Sequence, residues 1–99
     1  MSRYVVAPAA QRDIRAIYNF IEDQSEKNAA KVVRALYDEF DTIADMPGIG
    51  HTRPGLHDDT LRVIAVYKYL VIYDPTSKPL QILRVIHGAR DLGNAFLNE

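Results

Sequence analysis

Four basic side chains, Arg62, Arg84, His87 and Arg90, fall in or just after stretches of the second half of this chain that read as β-strand. Arginines projecting onto a common sheet face would bind phosphate or a carboxylate-rich partner, because the planar guanidinium pairs with either in a fork. From Leu80 to Ile86 the chain reads as a buried strand whose only charge is Arg84. The pattern stops at His87-Gly88, and His87, Arg90 and Asp91 then cluster at the strand exit, a common way to place function on a rigid scaffold. The plainer reading is a solvated strand end where Arg90 and Asp91 meet water. An unpaired guanidinium inside an apolar strand is costly, so Arg84 is expected to have a carboxylate or carbonyl partner. Arg90, past Gly88, is expected to be exposed.

Other chemistries find little support. His51, His57 and His87 are too far apart for a metal triad, and without cysteine there is no thiolate ligand. Ser2, Ser25 and Ser77 fall at a terminus, a helix cap and a turn, outside any nucleophile motif. Gly48-Ile49-Gly50 follows a helix instead of opening one, so it reads as a turn and not a phosphate loop. Asp38-Glu39 reads as helix solvation. No cofactor is implied.

Ninety-nine residues, 47% hydrophobic and 25% charged, describe one domain, 1–99, with a modest core. No signal peptide and no run of about 18 apolar residues is visible, so the expected location is the cytoplasm, with no membrane partner. A net charge of −1 argues against a general nucleic-acid binder. Charge is uneven, though: residues 1–59 hold seven Lys/Arg against ten Asp/Glu, and residues 60–99 hold five against three.

These groups need elements to position them. Tyr4-Val5-Val6-Ala7 reads as a strand closed by Pro8, which suits a helix's first turn. Ala10, Ile14, Ile17, Tyr18 and Ile21 then form one apolar stripe at helical spacing. The stripe breaks at Asp23-Gln24-Ser25, where Ser25 is the expected N-cap of a second helix. That helix carries Ala29, Val32, Val33, Leu36, Phe40, Ile43 and Ala44 on one face and ends at Met46-Pro47-Gly48. Ile49 to Thr60 reads as a loop. Leu61–Val66 and Tyr69–Tyr73 flank Tyr67-Lys68 as a hairpin, tight by spacing, although neither turn residue is a preferred one and a longer or bulged turn stays open. Asp74–Pro79 turns into the last strand, and the tail from Leu92 to Glu99 has room for a short helix. The order β-α-α-β-β-β predicts an α+β fold, a helical hairpin packed on an antiparallel sheet.

Six tyrosines with Phe20, Phe40 and Phe96 give more aromatic surface than a small core needs. Core packing is the default for most of them, and a partial apolar groove for a partner segment is the sharper alternative.

Four motifs in chain order carry a resemblance: Pro8-x-Ala10-x-x-Asp13-Ile14-x-x-Ile17; Ala44-Asp45-Met46-Pro47-x-x-Gly50-x-x-Arg53-Pro54-Gly55-Leu56; Tyr69-x-Val71-x-Tyr73; and Arg84-Val85-Ile86-His87-Gly88-Ala89-Arg90-Asp91-Leu92. Together they resemble the ParE branch of the RelE/ParE toxin superfamily over nearly the whole chain. The resemblance implies a bacterial type II toxin, neutralised by a cognate ParD-like antitoxin in a hetero-oligomer that meets operator DNA only through the antitoxin. Its fold is the one the periodicities suggest independently.

The superfamily has two chemistries. RelE-type toxins cut messenger RNA in the ribosome and tend to be strongly basic, whereas this chain is slightly acidic. Aligned on Gly88, Arg90 takes the RelE arginine position, but the tyrosine position falls on Phe96 and a basic sheet position on Leu70. No evident acid or base set remains for attack by a 2′-OH. The ParE reading, poisoning of DNA gyrase by binding alone and without catalytic residues, is favoured. The alternatives are a ribosome-dependent ribonuclease using Arg62, Arg84, His87 and Arg90, and a non-toxic antitoxin ligand or co-repressor. Expected target-binding residues are Arg62, His87 and Arg90. Expected antitoxin-binding residues are Ile17, Ile21, Val33, Leu36 and Tyr37.

Overall fold

The computed structural model describes residues 3–53 and 60–89. Strand β1 (Tyr4–Val6) leads into helices α1 (Pro8–Glu22) and α2 (Glu26–Asp45), followed by β2 (Arg62–Val66), β3 (Tyr69–Asp74) and β4 (Leu80–His87). Pro8 opens α1, where its missing N–H is not needed. Ser25 caps α2, its hydroxyl accepting from Asn28 N at 3.1 Å. The region proposed for a C-terminal helix, 92–99, lies outside the described residues, as do Arg90 and Phe96.

The four strands form one sheet in the order β1-β4-β3-β2. β2, β3 and β4 are antiparallel neighbours, but β1 runs parallel to β4, so the sheet is mixed and not wholly antiparallel as its hairpins suggested. Hairpins force antiparallel pairing, whereas the long helical connection after β1 leaves its direction unconstrained. The β2–β3 turn is the tight alternative: Val66 pairs Tyr69, leaving Tyr67 and Lys68 as the turn, with Tyr67 at φ 54°.

The helix stripes bury Ala10, Ile14 and Ile17 from α1 and Leu36, Phe40 and Ile43 from α2 against Val66, Tyr69, Val71, Tyr73, Leu80, Ile82 and Val85 of the sheet. Phe40 meets Tyr4 and Tyr37 edge to face at centroid distances of 5.6 and 5.1 Å. A second cluster, Leu61, Val63, Ile72 and Ile86, lies on the other sheet face. Ile82 and Val85 both point at the helices although three residues apart. A regular strand alternates faces every residue; here the register slips between Ile72 and Tyr73, which pair with Arg84 and Ile82, and Leu83 becomes the extra residue of a β-bulge.

Candidate functional site

The bulge and the shortness of β1 together shape the exit of β4. β1 covers β4 only from Leu80 to Ile82, so the backbone beyond loses its strand neighbour on that side. Asp13 of α1 fills the gap. Its carboxylate accepts from Val85 N at 3.0 Å and from Arg84 Nε and Nη2 at 2.7 and 3.1 Å. One acidic side chain thus satisfies an edge N–H and neutralises the strand's arginine, and the carboxylate partner expected for Arg84 is Asp13. The arrangement pins α1 to β4.

Beside this pin opens a cleft of about 340 Å³ lined by Asp13, Ala16, Ile17 and Phe20 from α1, Tyr69 from β3, and Val85 and His87 from β4. The His87 ring stands edge-on to Tyr69 at 5.8 Å. Phe20 is 63% exposed at the rim, which makes the mouth aromatic. Gly88 follows immediately, and its N–H donates to Lys68 O at 2.9 Å. A Cβ there would sit 3.2 Å from Leu70 Cγ, so the close crossing of β4 and the β2–β3 turn favours glycine.

Arg62 takes a different part. Its Nη1 donates to Gly50 O at 2.7 Å and more weakly to Gly48 O at 3.4 Å, tying the turn after α2 to β2. Tyr73 completes that tie from inside: its hydroxyl donates to Pro47 O at 2.7 Å and accepts from Gly50 N at 2.8 Å. Burial pushes the Tyr73 phenol above its ordinary pKa, against smaller opposing effects of the Gly50 hydrogen bond and the Arg62 charge. The neutral phenol both donates and accepts here, and a phenolate could only accept.

The two expected target contacts that are described, Arg62 and His87, therefore do not share one surface. Arg62 holds a turn, His87 lines the β4 cleft, and Arg90 lies outside the described residues. Of the expected antitoxin contacts, Ile17 lines the β4 cleft, while Ile21 and Val33 are half-buried against the core. Tyr37, 38% exposed, lines a separate hollow of about 600 Å³ with Tyr4, Val5, Val6, Gln11, Ile14 and Arg15. Leu36 is corrected: it is wholly buried in the core, because its stripe position faces the sheet, and it has no surface to offer. The rim position of Phe20 escaped assignment, although an aromatic residue lying off the α1 stripe was the available signal. Asp13 stands in the first of the four motifs, but its sequence context assigns it no role.

Among the described residues no group of His, Asp and Glu is placed to hold a metal, and no helix is long and apolar enough to cross a membrane. The family model described as "ParE toxin of type II toxin-antitoxin system, parDE" matches residues 4–92. The chain belongs to the ParE toxin family. Membership makes it a toxin component of a type II system and implies a ParD antitoxin as its partner. A solved structure titled "Chromosomal ParDE TA system from P. aeruginosa" is similar in fold, with a TM-score of 0.72 at 20% identity, over 87% of this chain and 98% of that one. No curated protein matches.

Proposed function

We propose that this ParE-family chain poisons DNA gyrase in the cytoplasm by binding, without performing catalysis itself, and that a ParD-like antitoxin neutralises it. Family membership across residues 4–92 carries the reading. The disposition of the arginines supports it. A ribonuclease of this fold would need free cations on the sheet to grip a scissile phosphate. Arg84 is instead engaged by Asp13 and Arg62 by turn carbonyls. Leu70, at a sheet position that is basic in RelE, packs with Leu83 against the second apolar cluster.

We propose His87, which lines the β4 cleft, and Arg90 as target contacts, while Arg62 ties the turn after α2 to β2. The antitoxin contacts are proposed at two hollows flanking α1, one with Ile17 and Phe20 and one with Tyr37 and Val5, each offering exposed apolar surface. Supercoiling by purified gyrase and ribosome-dependent messenger cleavage, measured side by side, test the reading. Loss of supercoiling with intact messenger is expected; cut messenger with unaffected gyrase would replace it by the RelE-type reading. Arg90→Glu is expected to leave the thermal transition in place and abolish inhibition, and retained inhibition would remove Arg90 from the contact.

A further inference from the structure

Away from the β4 exit, the outer face of α2 carries Lys27, Lys31 and Arg34 at spacings of four and three, so all three lie on one side of the helix. Each is exposed, and among the described residues no ion pair or hydrogen bond engages any of them. The tip of the β2–β3 hairpin leans over the same face, and together they enclose a hollow of about 780 Å³ in which Ala30 and Ala35 leave room for close approach. Tyr67 stands at its edge, 60% exposed. Its φ of 54° is a left-handed conformation that glycine would adopt without strain. The two-residue hairpin turn itself demands that positive φ, and it leaves the exposed ring beside three cations that have no partner among the described residues.

We infer that this face binds the phosphate backbone of duplex DNA, Lys27, Lys31 and Arg34 each opposing a phosphate and the Tyr67 hydroxyl donating to one. The choice of DNA rests on the gyrase reading, in which the toxin works beside DNA held by its target. The dimensions fit: Lys27 to Arg34 spans about 10 Å of helix, a length over which one strand of B-DNA carries about three phosphates. A net charge of −1 does not forbid this. At 0.1 M salt charges are screened within about 10 Å, so the phosphates meet the local patch, in which Asp38 is the one acidic lining residue, more than the remote carboxylates. An acidic protein segment would also suit the cations, but the small lining residues and a hydroxyl-bearing ring among them favour a backbone seated close to the helix.

Fluorescence anisotropy of a labelled duplex with the purified chain tests the surface without gyrase. Three phosphate contacts predict that affinity falls about 40-fold between 50 and 200 mM salt. Lys27→Gln/Lys31→Gln/Arg34→Gln is expected to remove both the binding and the salt slope while keeping the circular dichroism of the parent. Arg12→Gln/Lys78→Gln, on α1 and in the β3–β4 turn, both exposed and away from this face, is expected to bind as the parent does. No binding at 50 mM salt, unchanged binding by the triple variant, or preferential capture of a glutamate-rich peptide or single-stranded RNA would overturn the inference. Gyrase inhibition by the parent, read separately, reports on the gyrase reading: duplex binding with untouched gyrase leaves the surface standing and removes that reading.

Discussion

At the residue scale the fold hangs on a few polar side chains placed among apolar ones. Asp13 is the clearest, because its carboxylate serves a guanidinium and a backbone N–H at once. Asp13→Ala leaves both without that acceptor and is expected to destabilise by about 1.5–3 kcal/mol in chemical denaturation, the range for hydrogen bonds to charged groups. Arg84→Gln should cost less, since Asp13 still meets Val85. Tyr73 behaves similarly: Tyr73→Phe strands Pro47 O and Gly50 N and is expected to cost about 1–3 kcal/mol. It also carries a pH signature. Burial raises the Tyr73 phenol above its unfolded value near 10, so its contribution is complete below pH 10 and is lost as pH rises through the folded value. Tyr4 shifts the same way through burial and the nearby Asp41 carboxylate. Alkaline unfolding of Tyr73→Phe should therefore be shallower than the parent's, without becoming flat. That Arg84 required a partner was legible in the sequence; that Asp13 supplies it was not, because 71 residues separate them and only the packing of α1 along β4 brings them together.

At the scale of elements, periodicity was the informative signal. The helical stripes, the Ser25 cap and the order of strands are all written in local spacing, and each appears in the structure. What failed to show were features set by neighbours in space: the parallel direction of β1 and the bulge at Leu83. The bulge hides from a period-two reading because β4 carries apolar residues for both sheet faces, with Ile82 and Val85 on one side and Ile86 on the other. The contents of the site were legible only in part for the same reason, since a stripe position such as Leu36 and an off-stripe one such as Phe20 look equally apolar in the chain. Two substitutions test the element account. Ser25→Ala should lower stability by about 1 kcal/mol through loss of the cap. Tyr67→Gly should raise it by up to about 1 kcal/mol, relief of left-handed strain outweighing glycine's unfolded-state entropy. Thermal denaturation reads both, and a large loss in the glycine variant would show that the Tyr67 ring packs structurally.

At the scale of the whole molecule, the described residues of the ParE-family chain offer three surfaces: two partly apolar hollows beside α1 and a cationic face on α2. On the gyrase reading the target and the antitoxin meet in part at one place, since His87 lines the cleft that also holds Ile17 and Phe20. Gyrase poisoning is tested by incubating purified toxin with gyrase and supercoiled plasmid, stopping the reaction with detergent and resolving the products. Linear, gyrase-linked plasmid is expected, increasing with toxin concentration and disappearing when cognate antitoxin is added first. Plasmid supercoiled normally at every toxin concentration, with messenger cut in a parallel ribosome reaction, would contradict gyrase poisoning.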